Sequence, residues 1–228
     1  MTQLALPIGL ADHAVFATFL PTGNETAVAQ LEALARGDAV GGAWLYGPPA
    51  SGKSHLAQAT CAAAGDGAVY LPAHLLASTG LALLDGLESR RLVCIDDVDC
   101  LAGDEASERA LFILYNDLAA QGGQLLVTAP MAPRECPVAL PDLASRLSQL
   151  PTFRLGVLAE SERLAALRLR AAHRGLELPD DAARFLLSRT RRDMASLYAL
   201  LDTLDREALR AQRRLTVPFV RDVLARLA

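Results

Sequence analysis

Between residues 24 and 155, apolar residues at helical spacing alternate with short unbroken apolar runs; beyond residue 158 only the helical spacing continues. Thr26, Val28, Leu31 and Leu34 predict a helix from Asn24 to the Arg36-Gly37 pair, where glycine suits a helix end. Gly42-Ala43-Trp44-Leu45-Tyr46 runs apolar into glycine and proline and predicts a buried strand ending in a loop. A helix over 53–64, a strand near 68–71, a helix over 81–87 and a strand over 91–95 follow. Leu111, Leu114, Tyr115 and Leu118 predict a helix over 105–120, which Gly122-Gly123 stops before a strand over 124–127. After the proline-rich stretch 130–141, Leu143 and Leu147 predict another helix, and 150–155 a last strand. Such alternation implies a parallel sheet with helices on both faces.

The remainder predicts helices over 161–174, 179–190, 193–212 and 218–227. Asp180 and Asp181 complement the dipole of the second of these, and Thr216 suits the cap of the last. The expected organisation is a leader over 1–23, an α/β nucleotide-binding domain over 24–157 and a small all-helical domain over 158–228. Pro7 and Pro21 hold the leader in extended or turn backbone.

Composition narrows the class. With 52% hydrophobic and 21% charged residues the chain is globular, and 5% aromatic residues leave little for stacking on bases. A net charge of −4 argues against a surface that grips nucleic acid throughout. The arginines of the last third alternate with Asp and Glu, which reads as an ion-paired helical surface or, alternatively, a phosphate-binding patch. No basic leader with an apolar core opens the chain and no apolar run is long enough to cross a bilayer, so a soluble cytoplasmic protein is expected. Cys61, Cys94, Cys100 and Cys136 show no zinc-ligand spacing and read as reduced structural thiols.

The strongest chemical signal is Gly47-Pro48-Pro49-Ala50-Ser51-Gly52-Lys53-Ser54, a P-loop between a predicted strand and helix. Gly47 and Gly52 let Pro48, Ala50 and Ser51 wrap phosphate oxygens with the backbone. The following helix adds its positive end, Lys53 reaches the β- and γ-phosphates, Ser54 ligates magnesium, and the backbone N–H of His55 completes the cradle. Leu92-Val93-Cys94-Ile95-Asp96-Asp97 supplies the carboxylate such a loop needs at a neighbouring strand end. Asp96 is the magnesium partner through water, and Asp97 orients or deprotonates the attacking water; a strand ending in an Asp-capped turn is the plainer alternative. The expected cofactor is ATP or ADP with Mg2+.

This combination of P-loop, paired acids, α/β repeats and helical lid resembles the AAA+ ATPases and, within them, the DnaA/Hda group, most of all Hda. Phe16-Ala17-Thr18-Phe19-Leu20 with Asn24 resembles that group's leader, and Leu111-Phe112-Ile113-Leu114-Tyr115-Asn116 its helix after the Walker B acids. The resemblance implies that Arg146, in Asp142-Leu143-Ala144-Ser145-Arg146-Leu147, is an arginine finger acting in trans on a neighbouring nucleotide; an ion pair with Asp142 at helical spacing is the alternative. It implies that Thr128 is the sensor 1 residue, although Ala129-Pro130 departs from the polar continuation in DnaA. The sensor 2 arginine falls at Ala195, with Arg192 nearby in another register, which implies weak intrinsic ATPase. Gln3-Leu4-Ala5-Leu6-Pro7-Ile8 resembles the sliding-clamp-binding motif of this group, with Gln3 at the pocket rim, Leu4, Leu6 and Ile8 as anchors and Pro7 keeping the peptide extended; an apolar tail packed on its own domain would look similar.

No helix-turn-helix pattern follows the lid before Ala228, so direct sequence-specific DNA recognition is not expected, nor is a membrane partner. The expected function is regulatory: tethered to the sliding clamp, the protein stimulates hydrolysis of DnaA-bound ATP and limits replication initiation. The alternative is an ATP-driven loader of a replicative helicase or similar machine. The expected partners are DnaA and the clamp, and a homo-oligomer is compatible with either reading.

Overall fold

The computed structural model describes residues 14–189 and 194–227, which divide into two compact units. The first contains Gly23–Gly156 and is built on five parallel strands: β1 (Gly42–Tyr46), β2 (Ala68–Pro72), β3 (Leu92–Asp96), β4 (Gln124–Ala129) and β5 (Thr152–Arg154). Their spatial order is β2-β3-β4-β1-β5. The helices are α1 (Glu25–Arg36), α2 (Lys53–Ala64), α3 (Ala73–Thr79), α4 (Glu105–Ala120) and α5 (Pro141–Ser148).

β1, β3 and β4 are buried almost throughout, and apolar except for Asp96, Gln124 and Thr128, because both faces are covered. Trp44, Val93, Ile95, Leu125 and Val127 pack with Leu111, Leu114 and Leu118 of α4 and Leu143 and Leu147 of α5. The alternating residues Ala43, Leu45, Leu92, Cys94 and Leu126 are also buried, as are Leu31, Leu34 and Leu56 of α1 and α2. Trp44 donates its indole N–H to the Met131 carbonyl at 2.9 Å, so the lone tryptophan is core. Arg91 closes the ends of two helices at once, donating to the carbonyls of Leu34 (3.1 Å) and Ala35 (2.7 Å) on α1 and of Ala64 (3.2 Å) on α2.

Two predicted elements are corrected. The stretch 81–87 is no α-helix: α3 starts directly after β2, and Leu81–Leu84 and Leu87–Ser89 are 3-10 turns. Gly80 and Gly86, both at positive φ, interrupt the chain, and the Leu81, Leu84, Leu87 spacing of three is the 3-10 period rather than the α-period. β4 runs two residues further than predicted, because Leu45 and Tyr46 of β1 pair with Thr128 and Ala129.

The second unit holds Ala17–Thr22 and the chain from Val157 on. It comprises α6 (Glu160–His173), α7 (Asp180–Arg189), α8 (Met194–Ala211) and α9 (Val217–Leu227). Residues 17–22, read from the sequence as leader, belong here, and Leu20 packs on the unit's core of Leu167, Leu186, Leu201 and Val220. The Thr216 carbonyl accepts the first helical bond of α9, from Val220 N–H at 2.9 Å. Many of the arginines are internally engaged. Arg168 pairs with Asp180, Arg170 and Arg174 with Asp202, and Arg226 with Glu207, while Arg213 lies over the Phe219 ring. No described helix is long and apolar enough to cross a membrane.

Candidate functional site

β1 delivers the P-loop at its C-terminal end, and α2 leaves from it, with Gly52 in left-handed backbone at the helix start. Gly47 is dictated by close approach: a Cβ there would lie 2.4 Å from the Leu155 carbonyl oxygen. Ala50 is held at φ 62, a conformation costing an L-residue about 1 kcal/mol, and it sits exposed at the loop's crest with Pro48 and Pro49. Ser51 is buried, and its hydroxyl has no hydrogen-bond partner among the described residues. A buried hydroxyl without a partner is costly, and a phosphate oxygen in this loop would satisfy it. The loop therefore fits the nucleotide phosphates that its sequence implies.

Lys53 is buried, and its ammonium donates to the carbonyls of Gly47 (2.9 Å) and Pro48 (3.2 Å), which draws it back over the loop. Ser54 follows, half-buried in the first turn of α2. The His55 ring bonds through Nε2 to the Val15 carbonyl at 3.0 Å; a carbonyl can only accept, so Nε2 carries the proton. That ring is committed to the segment entering the unit, which leaves the His55 backbone as the part facing the cradle's turn.

Ile95 of β3 pairs with Val127 of β4, which sets Asp96 beside Thr128 at the carboxyl edge of the sheet. Asp96 is buried, and both its oxygens are gripped. Thr128 Oγ1 donates to Oδ1 at 2.5 Å and the Tyr70 hydroxyl donates to Oδ2 at 2.7 Å. Gln58 of α2 donates in turn to Tyr70 at 3.4 Å. Burial first, then the Asp96 carboxylate, pushes the Tyr70 hydroxyl far above the ordinary tyrosine range, so it stays a donor. Each carboxylate oxygen retains a second lone pair, which suffices for a water held by a metal ion.

Asp97 turns sharply, at φ 55, and its backbone N–H donates to Thr128 Oγ1 at 2.9 Å. Its side chain is exposed. The protein around it still desolvates the carboxyl in part, and this, then the neighbouring Asp96 and Asp99, raises its pKa above the usual aspartate value, while Lys53 and His74 pull the other way. The raised pKa makes Asp97 a stronger base than a surface aspartate, and the pull of Lys53 puts the two acids and the P-loop lysine in one field. Thr128 gives its hydroxyl proton to Asp96 and accepts from the Asp97 N–H, so it links the two acids, and its oxygen keeps one lone pair for a water.

Arg146 projects from α5 at the edge of the buried stripe formed by Leu143 and Leu147, three residues on from the first and next to the second. It is exposed and, among the described residues, has no ion pair; the expected alternative with Asp142 is not formed. Gln3, Leu4, Leu6, Pro7, Ile8 and Arg192 lie outside the described residues, and Ala195 falls in the first turn of α8. Sequence reasoning missed Tyr70, which reads as one more apolar strand residue yet holds Asp96. Asn24, placed by the resemblance in the leader, accepts from Gly156 N–H at 3.4 Å through its side chain.

Comparison with known proteins matches residues 160–224 to the family model described as Hda, lid domain. The fold is similar to that of domain III of the Thermotoga maritima replication initiation protein DnaA, with a TM-score of 0.76 at 20% identity over 93% of this chain and 95% of that one. It is also similar to AMPPCP-bound DnaA from Aquifex aeolicus, with a TM-score of 0.68 at 22% identity over 86% of this chain and 66% of that one. A third similar fold is the Thermotoga maritima RuvB Holliday junction branch migration motor, with a TM-score of 0.62 at 20% identity over 89% of this chain and 69% of that one. The parallel sheet flanked by helices and the Hda-type lid agree with the DnaA/Hda-type AAA+ resemblance of the sequence.

Proposed function

We propose, on the premise of a DnaA/Hda-type AAA+ fold with an Hda-type lid, that this chain is an adenine-nucleotide-binding regulator of replication initiation. Held on the sliding clamp through Gln3 to Ile8, it stimulates hydrolysis of the ATP bound to DnaA. The observation that carries the reading is Arg146: a guanidinium exposed on a helix anchored by Leu143 and Leu147, free of the Asp142 pair that would mask it. A finger of this kind neutralises charge developing on a transferred phosphoryl group.

In this reading the chain's own nucleotide holds its shape. Gly47 to His55 cradle the phosphates, with Ser54 and Asp96 holding Mg2+, which neutralises phosphate charge when bound. The test mixes the protein with DNA-loaded clamp and ATP-bound DnaA and follows phosphate release. Stimulation is expected, with Arg146→Ala losing about a thousandfold of it. A Gln3→Ala/Leu6→Ala variant is expected to lose clamp capture. Equal rates with wild type and Arg146→Ala would sink the proposal.

A second reading, a loader driven by its own turnover, is favoured by Lys53, Asp96 and Asp97 standing together. It predicts robust ATPase without DnaA, abolished by Asp97→Ala; negligible turnover rejects it.

A further inference from the structure

The carboxylate of Glu108 is buried at 2% exposure on the first turns of α4, where the function described above gives it no part. It accepts three backbone N–H bonds: from Gly103 at 2.7 Å and Ala139 at 2.9 Å on Oε1, and from Leu140 at 2.6 Å on Oε2. Gly103 lies in the loop that leaves the Asp96-Asp97 turn. Leu140 is the N-cap of α5, directly before Pro141, and Arg146 follows six residues later.

We propose that Glu108 is a positioning residue for Arg146, fixing through the Ala139 and Leu140 amides where the finger-bearing helix starts. Two kinds of force hold α5. Leu143 and Leu147 bury its apolar stripe, but apolar contact is non-directional and tolerates sliding of a helix only eight residues long. The short charge-assisted bonds from Glu108 are directional and set the entry point. Removing them leaves a helix that is still buried but no longer held in register, and a misplacement of about 1 Å costs a catalytic group roughly a hundredfold. The bond to Gly103 ties the same carboxylate to the loop after the acids, so one side chain joins the strand end serving this chain's nucleotide to the helix serving a neighbour's.

The inference rests on Arg146 acting in trans, and the test separates the two claims. Glu108→Gln keeps the shape and places an amide donor against the N–H groups; Glu108→Ala removes the acceptor. In the free protein, hydrogen exchange at Ala139, Leu140 and along α5 is expected to rise about tenfold or more in one or both variants, while the central strands keep their protection. In the clamp assay, Glu108→Gln is expected to lower the maximal stimulated rate toward that of Arg146→Ala, with half-saturating concentration and clamp capture unchanged. Unchanged exchange at 139–146 in both variants overturns the proposal, whatever the assay shows. Faster exchange with full stimulation, in a protein whose Arg146→Ala variant is dead, also overturns it. Full stimulation by Arg146→Ala overturns the finger assignment instead, and the exchange result alone then decides whether Glu108 holds α5.

Discussion

Glu108 and Asp97 show how two carboxylates of one unit take opposite characters from their surroundings. Burial pushes Glu108 up, but the N–H donors of Ala139, Gly103 and Leu140 outweigh it and hold its pKa below the ordinary glutamate value. Asp97 has desolvation and then the like charges of Asp96 and Asp99 acting on it, with no such set of donors, and goes up. A group whose folded pKa is depressed adds stability above its unfolded value, and that stability is lost as pH falls through the folded one. The amide signals of Ala139 and Leu140 should therefore titrate together, with a midpoint below the reference of about 4.3 for free glutamate. A midpoint at or above that reference would show that the three bonds do not dominate. The P-loop residues and Asp96 were legible because their chemistry depends on neighbours in sequence. Tyr70 and Glu108 were not, because Asp96 lies 26 residues from Tyr70, and Ala139 and Leu140 lie 31 and 32 from Glu108.

At the scale of elements, the strands and most helices follow from the apolar pattern, since a strand covered on both faces demands an unbroken run and a helix covered on one demands a period of 3.6. The failure at 81–87 shows the limit: two glycines and a spacing of three make turns that a window tuned to 3.6 residues reads as a helix. The ends of elements carry their own energetics. Arg91 satisfies three carbonyls that α1 and α2 leave open, and it lies at the start of a strand, where nothing local marks it as a cap. Arg91→Met should retain the aliphatic packing and destabilise by about 2 kcal/mol, seen as a lower urea midpoint with an unchanged slope. A midpoint equal to wild type would mean that water replaces the guanidinium without loss.

Among the described residues each unit has a buried apolar cluster of its own, and the helical unit includes a charge in its interior. Arg170 is 1% exposed, meets Asp202 at 3.2 Å and lies 4.1 Å from the centre of the Tyr198 ring; burial lowers its pKa and Asp202 opposes that shift. Asp202→Ala strands this guanidinium and should destabilise the lid by about 3 kcal/mol, measured by urea unfolding followed through helical circular dichroism. Arg170→Met combined with Asp202→Leu should regain most of that loss, because a buried pair costs its own desolvation; a double variant as unstable as Asp202→Ala would show the pair to be a net stabiliser. By itself, the sequence determined the α/β order, the helical lid, the phosphate loop and the acid at the neighbouring strand end. Apolar periodicity and contiguous motifs are local properties of a chain. Only the tertiary structure decided that Thr128 and Tyr70 hold Asp96, that Glu108 reaches the start of the Arg146 helix, and that Arg146 stands free of Asp142. Those outcomes depend on strand register and on hydrogen bonds closed between distant segments, which no pattern of neighbours encodes.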